Sequence, residues 1–198
     1  MTQQLTEQDY LSAATALKAP LAAVKAVATV ESAGSGYLSD GRVKVQYEPH
    51  VMFQRLSTRF GQARALKELQ DHPDLVARKA GSYQSLDKED QDMARAAKVI
   101  DRDSALESAS WGAFQIMGYH WHTLGFDTLQ AFINANQTAA GQLDCFVRFI
   151  KADSILQQAL QQQKWAVFAA RYNGKNFAAN KYDTKLAAAF RQFGGKGV

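Results

Sequence analysis

Glu31 closes an apolar stretch, Ala22-Ala23-Val24-Lys25-Ala26-Val27-Ala28-Thr29-Val30-Glu31. Val24, Val27, Ala28 and Glu31 stand at i, i+3, i+4 and i+7, so a helix here puts the carboxylate on the face of three apolar side chains. A carboxyl group in such surroundings keeps its proton to higher pH. That property suits a proton donor to a glycosidic oxygen. A solvated glutamate at a helix end is the structural alternative. Two later segments carry groups suited to a sugar chain. In Ser110-Trp111-Gly112-Ala113-Phe114-Gln115-Ile116-Met117, Gly112 lets backbone approach a ligand closely, and the Gln115 amide both donates and accepts, with a core-edge glutamine bonded to backbone as its alternative role. In Ala169-Ala170-Arg171-Tyr172-Asn173-Gly174, Tyr172 and Asn173 stand just before a glycine, where they project from a helix end. Tyr172 offers a polar tip on an apolar body, and core packing is its alternative role.

Glycosidases normally work with two carboxylates. Asp40 and Glu48 are the candidates for the second. Asp40 precedes Gly41, and an Asp-Gly turn needs its aspartate for backbone reasons alone. Glu48 lies between Tyr47 and Pro49 in apolar company, and is favoured as a water-activating base or as a structural partner of Glu31. His120-Trp121-His122 has a chelating spacing without a third ligand nearby, so no metal is expected, and no cofactor either. Cys145, the single cysteine, is read as a buried core thiol. His50 is read as an ordinary side chain at a helix start, and Trp111, Trp121 and Trp165 as core or cleft wall.

The elements that position these groups read as mostly helical. Thr6-Glu7-Gln8-Asp9 resembles a capped helix start, followed by an apolar stripe of Tyr10, Leu11, Ala14 and Leu17. Pro20 opens the helix that carries Glu31, and Gly34 and Gly36 end it. The stretch 37–47 reads as a hairpin around Asp40-Gly41, with Val43, Val45 and Tyr47 on one face, and as the one convincing β element. Pro49 starts a helix bearing Val51, Met52, Leu56 and Phe60. The polar segment 61–103 reads as a lobe with short helices at 64–69 and 88–100, the second capped by Ser85. Residues 110–117 read as a buried helix, and further helices are expected at 138–150, 165–172 and 182–193. The fold class is mainly α (α+β): a single domain over 1–198 with a small β-hairpin beside the helix of Glu31.

Val30-Glu31-Ser32-Ala33-Gly34, then 110–117, then 169–174 resemble the pattern shared by goose-type lysozymes and soluble lytic transglycosylases. The run Asp40-Gly41-Arg42 into Tyr47-Glu48-Pro49-His50-Val51-Met52-Phe53 resembles more specifically the N-acetylmuramidase domain of phage endolysins. The likeness spans about residues 5–193. It implies a lysozyme-like fold, and a muramidase that cleaves between N-acetylmuramic acid and N-acetylglucosamine with Glu31 as general acid. It also implies Gln115, Tyr172, Asn173 and Gly112 as substrate-binding positions. A lytic transglycosylase giving a 1,6-anhydro product needs no second carboxylate and stays open, as does a non-catalytic wall-binding or virion module. Such domains are often joined to a peptidoglycan-binding module, and none is expected within this sequence.

The 198 residues suit one ordinary domain, and an apolar content of 46% suffices for a core. Against 19 Asp and Glu stand 23 Lys and Arg, a formal charge of +4. That favours acidic partners. With no Lys/Arg block, zinc-finger spacing or aromatic RNA-binding motif, nucleic acid is not expected. Six basic residues from 171 onward (Arg171, Lys175, Lys181, Lys185, Arg191, Lys196) face one acid, Asp183. The default reading is an ordinary terminal helix that packs Leu186, Phe190 and Phe193 on the core; a basic face that also holds anionic wall polymers or outer membrane is the functional alternative. The N-terminus has no basic start or apolar run, so synthesis in the host cytoplasm and later action on the wall are expected. A monomer is expected.

Overall fold

In the computed structural model, residues 4–32, 34–81, 84–174 and 177–196 are described; Ala33 and Lys175 lie outside them. In chain order the elements are α1 (Glu7–Leu17), α2 (Leu21–Glu31), β1 (Val45–Tyr47), α3 (Pro49–Phe60), α4 (Gln62–Asp71), α5 (Leu86–Val99), α6 (Arg102–Glu107), β2 (Ala109–Trp111), β3 (Ile116–Met117), a 3-10 turn (Gly118–His120), α7 (Leu129–Ala135), α8 (Ala139–Ala152), α9 (Ser154–Gln161), α10 (Trp165–Tyr172) and α11 (Tyr182–Gln192). The class is mainly α with a small antiparallel sheet, as expected from sequence. No single helix among the described residues is long and apolar enough to cross a membrane.

Two compact units share the chain: residues 1–36 with 135–198, and residues 37–134. In the first, α1 packs on α2 and α8, α11 on α2, and α10 on α9 and α11. Thr6 and Asp9 form a reciprocal capping box at the start of α1. Leu17, Val24, Val27, Phe146, Ile150, Phe168 and Leu186 are fully or almost fully buried here. Leu11, read as part of the inward stripe, is exposed, and Ala13 is buried in its place beside Ala14 and Leu17. Pro20 is the cap residue of α2, so the helix begins one residue later. Ser154–Gln161 and Trp165–Tyr172 are separate short helices; the first was not expected, although Ile155, Leu156, Ala159 and Leu160 stand at helical spacing and Asp153 caps it.

In the second unit the expected hairpin is half right. Tyr37 and Val43 form an isolated bridge, closed by a turn in which the Leu38 N–H donates to the Arg42 carbonyl. Val43, Val45 and Tyr47 are all buried. Strand β1, however, pairs with β2, with Val45 opposite Trp111 and Tyr47 opposite Ala109. Strand β2 then pairs with β3, Ser110 opposite Met117. Residues 110–117 are thus a β-hairpin and not a helix. The reason is local: Gly112 has φ +70° and Gln115 φ +48°, so the chain reverses between them. Helix α3 starts at Pro49 as read, with Val51, Met52 and Leu56 buried, but Phe60 at its end is half exposed. Ser85 caps α5 by accepting from the Lys88 N–H at 3.3 Å. Helices α6 and α7 are too short to have left a periodic signal.

Candidate active site

Glu31 is the last residue of α2, on the face that carries buried Val24, Val27 and Ala28. Its Oε2 accepts from Asn173 Nδ2 at 2.8 Å. Its Oε1 is buried and has no hydrogen-bond partner, and the same holds for Asn173 Oδ1. Burial pushes the Glu31 carboxyl above the ordinary glutamate range, while the Asn173 donor and the Lys185 ammonium pull the other way. Lys185 comes close because α11 lies along α2. The pair therefore presents one held carboxyl oxygen, one free carboxyl oxygen and one free amide oxygen.

Asn173 is placed by an aromatic cluster. It caps α10, its N–H donating to the Ala169 carbonyl at 2.8 Å. The preceding Tyr172 stacks on Phe168, with ring centroids 5.7 Å apart, and meets the edges of Phe146 and Phe149 at 5.8 and 5.7 Å. Burial and the nearby Glu31 charge push its phenol well above its usual range, so it stays neutral.

The remaining candidates belong to the second unit. Asp40 is exposed and spent on Arg42: its Oδ1 accepts the Arg42 N–H at 3.0 Å and its Oδ2 the Arg42 Nε–H at 2.8 Å. These bonds hold its carboxyl below the usual aspartate range. Arg42 also pairs with Asp87 and Asp90, so the turn is tied to α5. Glu48 is largely buried just before α3, with Gln46 Nε2 at 3.3 Å and His50 Nδ1 at 3.4 Å from its oxygens. Gly112 is buried in the β2–β3 turn. Gln115 uses its amide within that turn: Oε1 accepts from Ser110 Oγ at 2.8 Å, and Nε2 donates to the Gly112 carbonyl at 2.8 Å.

The model of the N-acetylmuramidase family matches residues 20–194. The chain belongs to the N-acetylmuramidase family. It is a peptidoglycan-degrading muramidase. Among solved structures, the crystal structure of Burkholderia AP3 phage endolysin matches at a TM-score of 0.90 and 44% identity, over 98% of this chain and 73% of that one. No curated protein matches.

In this muramidase, Glu31 and Asn173 meet although 142 residues separate them. Tyr172 joins them through the aromatic cluster. Sequence reasoning missed Glu107, the last residue of α6. Its carboxylate is 4% exposed and accepts from Arg55 Nε at 2.8 Å and Trp121 Nε1 at 2.9 Å, with Arg59 Nη2 at 3.1 Å. Two arginines four apart on α3, Arg55 and Arg59, were the signal available for a buried acid. His120 and His122 follow β3 in turns, not a helix, and among the described residues no group of three metal-binding side chains occurs. Cys145 is a buried thiol pushed up to about 12.

Proposed function

We infer that this muramidase hydrolyses the β-1,4 bond between N-acetylmuramic acid and N-acetylglucosamine, with Glu31 as general acid. The observation that carries this reading is the Glu31–Asn173 pair. A carboxyl whose pKa is raised by burial has one oxygen fixed by Asn173 and the other free to carry a proton to the leaving oxygen. Asn173 orients the acid, and Tyr172 and its phenylalanine neighbours orient Asn173. Glu48 is the better second carboxylate, as water-activating base, because Asp40 is spent on Arg42. Gly112 and Gln115 shape a turn in which Gln115, bonded to Ser110 and Gly112, is half-buried, and this turn is the proposed glycan contact of the second unit.

A second reading is favoured by the same observation on the carboxylates. Asp40 is held by Arg42 and Glu48 has Gln46 and His50 beside it. If neither activates water, the substrate's own groups complete the reaction and the product is a 1,6-anhydro sugar. The enzyme is further proposed to act as a phage lysin, made in the host cytoplasm and reaching the wall later. Lys181 and Arg191, both exposed, contribute to holding the anionic wall.

The test is Glu31→Gln, assayed on purified walls. A folded variant that binds walls but loses roughly 10²–10⁴-fold in rate supports the acid role; a folded variant with wild-type lysis refutes it. Mass spectrometry of the released muropeptides separates the two products, which differ by one water. Glu48→Gln should slow hydrolysis more than Asp40→Asn at equal melting temperature.

A further inference from the structure

The second unit contains an acidic cavity of about 190 Å³; Glu48, the proposed second carboxylate, stands in its lining, and Glu89 beside it has no part in the mechanism above. Four carboxylates line it: Glu48, Asp74, Glu89 and Asp92. Three have partners. Asp74 pairs with Arg95, Asp92 with Lys88, and Glu48 with Gln46 and His50. Glu89 differs. It is 5% exposed, and its Oε1 accepts the Gln84 N–H at 2.9 Å. Its Oε2 is buried and has no hydrogen-bond partner. A buried carboxylate oxygen without a donor is costly. The deficit here is of positive, hydrogen-donating charge. Lys79, the one cation in the lining, is exposed and makes no ion pair with these acids among the described residues.

The cavity's dimensions narrow the ligand. Its volume is several times the roughly 30 Å³ share of a single water. Among the described residues no three ligating side chains stand close enough to hold a metal ion. Tyr47 lines one side, its hydroxyl donating to the Leu75 carbonyl at 2.8 Å, and Pro49, Pro73 and Ala77 add apolar lining. Negative oxygens beside apolar lining suit an alkylammonium: N–H donors for Glu89, and a hydrocarbon stem for the apolar wall.

We propose that this cavity binds a primary ammonium on a short hydrocarbon stem, with Glu89 Oε2 as its acceptor. Resting on the muramidase reading, the source is the side-chain amine of the diamino acid in a peptidoglycan stem peptide, free wherever the peptide is not cross-linked. The enzyme thus favours glycan bearing uncross-linked peptides.

The experiment measures binding by calorimetry to N-acetylglucosaminyl-N-acetylmuramoyl-tripeptide ending in lysine. This fragment has no bond between N-acetylmuramic acid and a following N-acetylglucosamine, so binding is read apart from cleavage. Its ε-N-acetylated form and 1,5-diaminopentane are the comparison probes, and Glu89→Gln is the variant, isosteric and still able to accept from Gln84. Acetylation is expected to weaken wild-type binding at least about tenfold, as loss of a charge-assisted hydrogen bond does. Glu89→Gln should bind both fragments alike, within about twofold. Equal wild-type binding of the two fragments overturns the stem-peptide source. If diaminopentane then still binds in a Glu89-dependent way, the cavity takes free polyamines instead. If neither probe depends on Glu89, the site is refuted. Lysis of acetylated walls is read in parallel, so failure of the subsite is distinguished from failure of the muramidase reading, which would abolish lysis of all walls.

Discussion

Glu107→Gln tests whether the buried acid at the end of α6 holds the second unit together. The carboxylate joins three elements: Arg55 and Arg59 on α3, its own helix, and Trp121 just after the 3-10 turn. Glutamine keeps an acceptor for the indole but removes the charge, and its amide nitrogen faces guanidinium. Removing one partner of a buried ion pair costs about 3–5 kcal/mol. Two facts place this case at the low end. The arginines are 28% and 30% exposed and turn toward water, and Arg59 keeps Asp103 at 3.2 Å. The expected loss is therefore about 3 kcal/mol. At about 2–4 °C per kcal/mol for a chain of this size, that is a fall of roughly 6–12 °C in melting temperature. Differential scanning calorimetry and urea denaturation followed by tryptophan fluorescence measure it. Asp103→Asn, which alters two partly exposed pairs, with Arg59 and Arg102, and leaves Glu107 in place, should cost under about 1 kcal/mol. If Glu107→Gln costs no more than Asp103→Asn, the network is not a structural anchor and the reasoning fails.

The pH profile of lysis follows from Glu31. A general acid works protonated, and burial raises this carboxyl's pKa, so activity should persist above the ordinary glutamate range and fall as pH rises through the folded value. Asn173→Ala removes a donor to the ionised form, so its alkaline limb should move to higher pH while the maximum rate drops. A limb that stays put or moves toward acid contradicts the pairing. Gly118→Ala places a methyl carbon 2.1 Å from the Leu106 carbonyl oxygen and 2.9 Å from Glu107 Cα. Backbone must shift, and a loss of about 1–3 kcal/mol is expected in a thermal melt; an unchanged melting temperature refutes the close approach.

Helix α3 and helix α10 were legible to the residue because strong local signals bound them, Pro49 for one and an apolar run after Lys164 for the other. Glu31 was legible because three apolar neighbours at helical spacing fix its face. Residues 110–117 were not legible, because eight mostly apolar residues suit a buried helix and a buried hairpin equally. What decides is a left-handed backbone at Gln115, which no side-chain type announces. The partner of β1 was hidden for another reason. Val45 pairs with Trp111, and a register between such distant segments leaves no trace in either one alone. The backbone role of Asp40 was legible from Asp40-Gly41, and a backbone-bonded Gln115 was the alternative reading; the long-range ties of Arg42 to α5 were not, since they join distant segments.

The Glu31–Asn173 hydrogen bond also has a timing. At about 5–20 residues per second, the 142 residues from Ser32 through Asn173 take roughly 7–28 s to synthesise. Throughout that interval the nascent chain carries its acid without the amide that orients it. Latency is thus written into the order of the residues: on the ribosome the Glu31 carboxyl has no amide partner, and the pair waits for α10 to emerge and dock Tyr172 against the phenylalanines of α8.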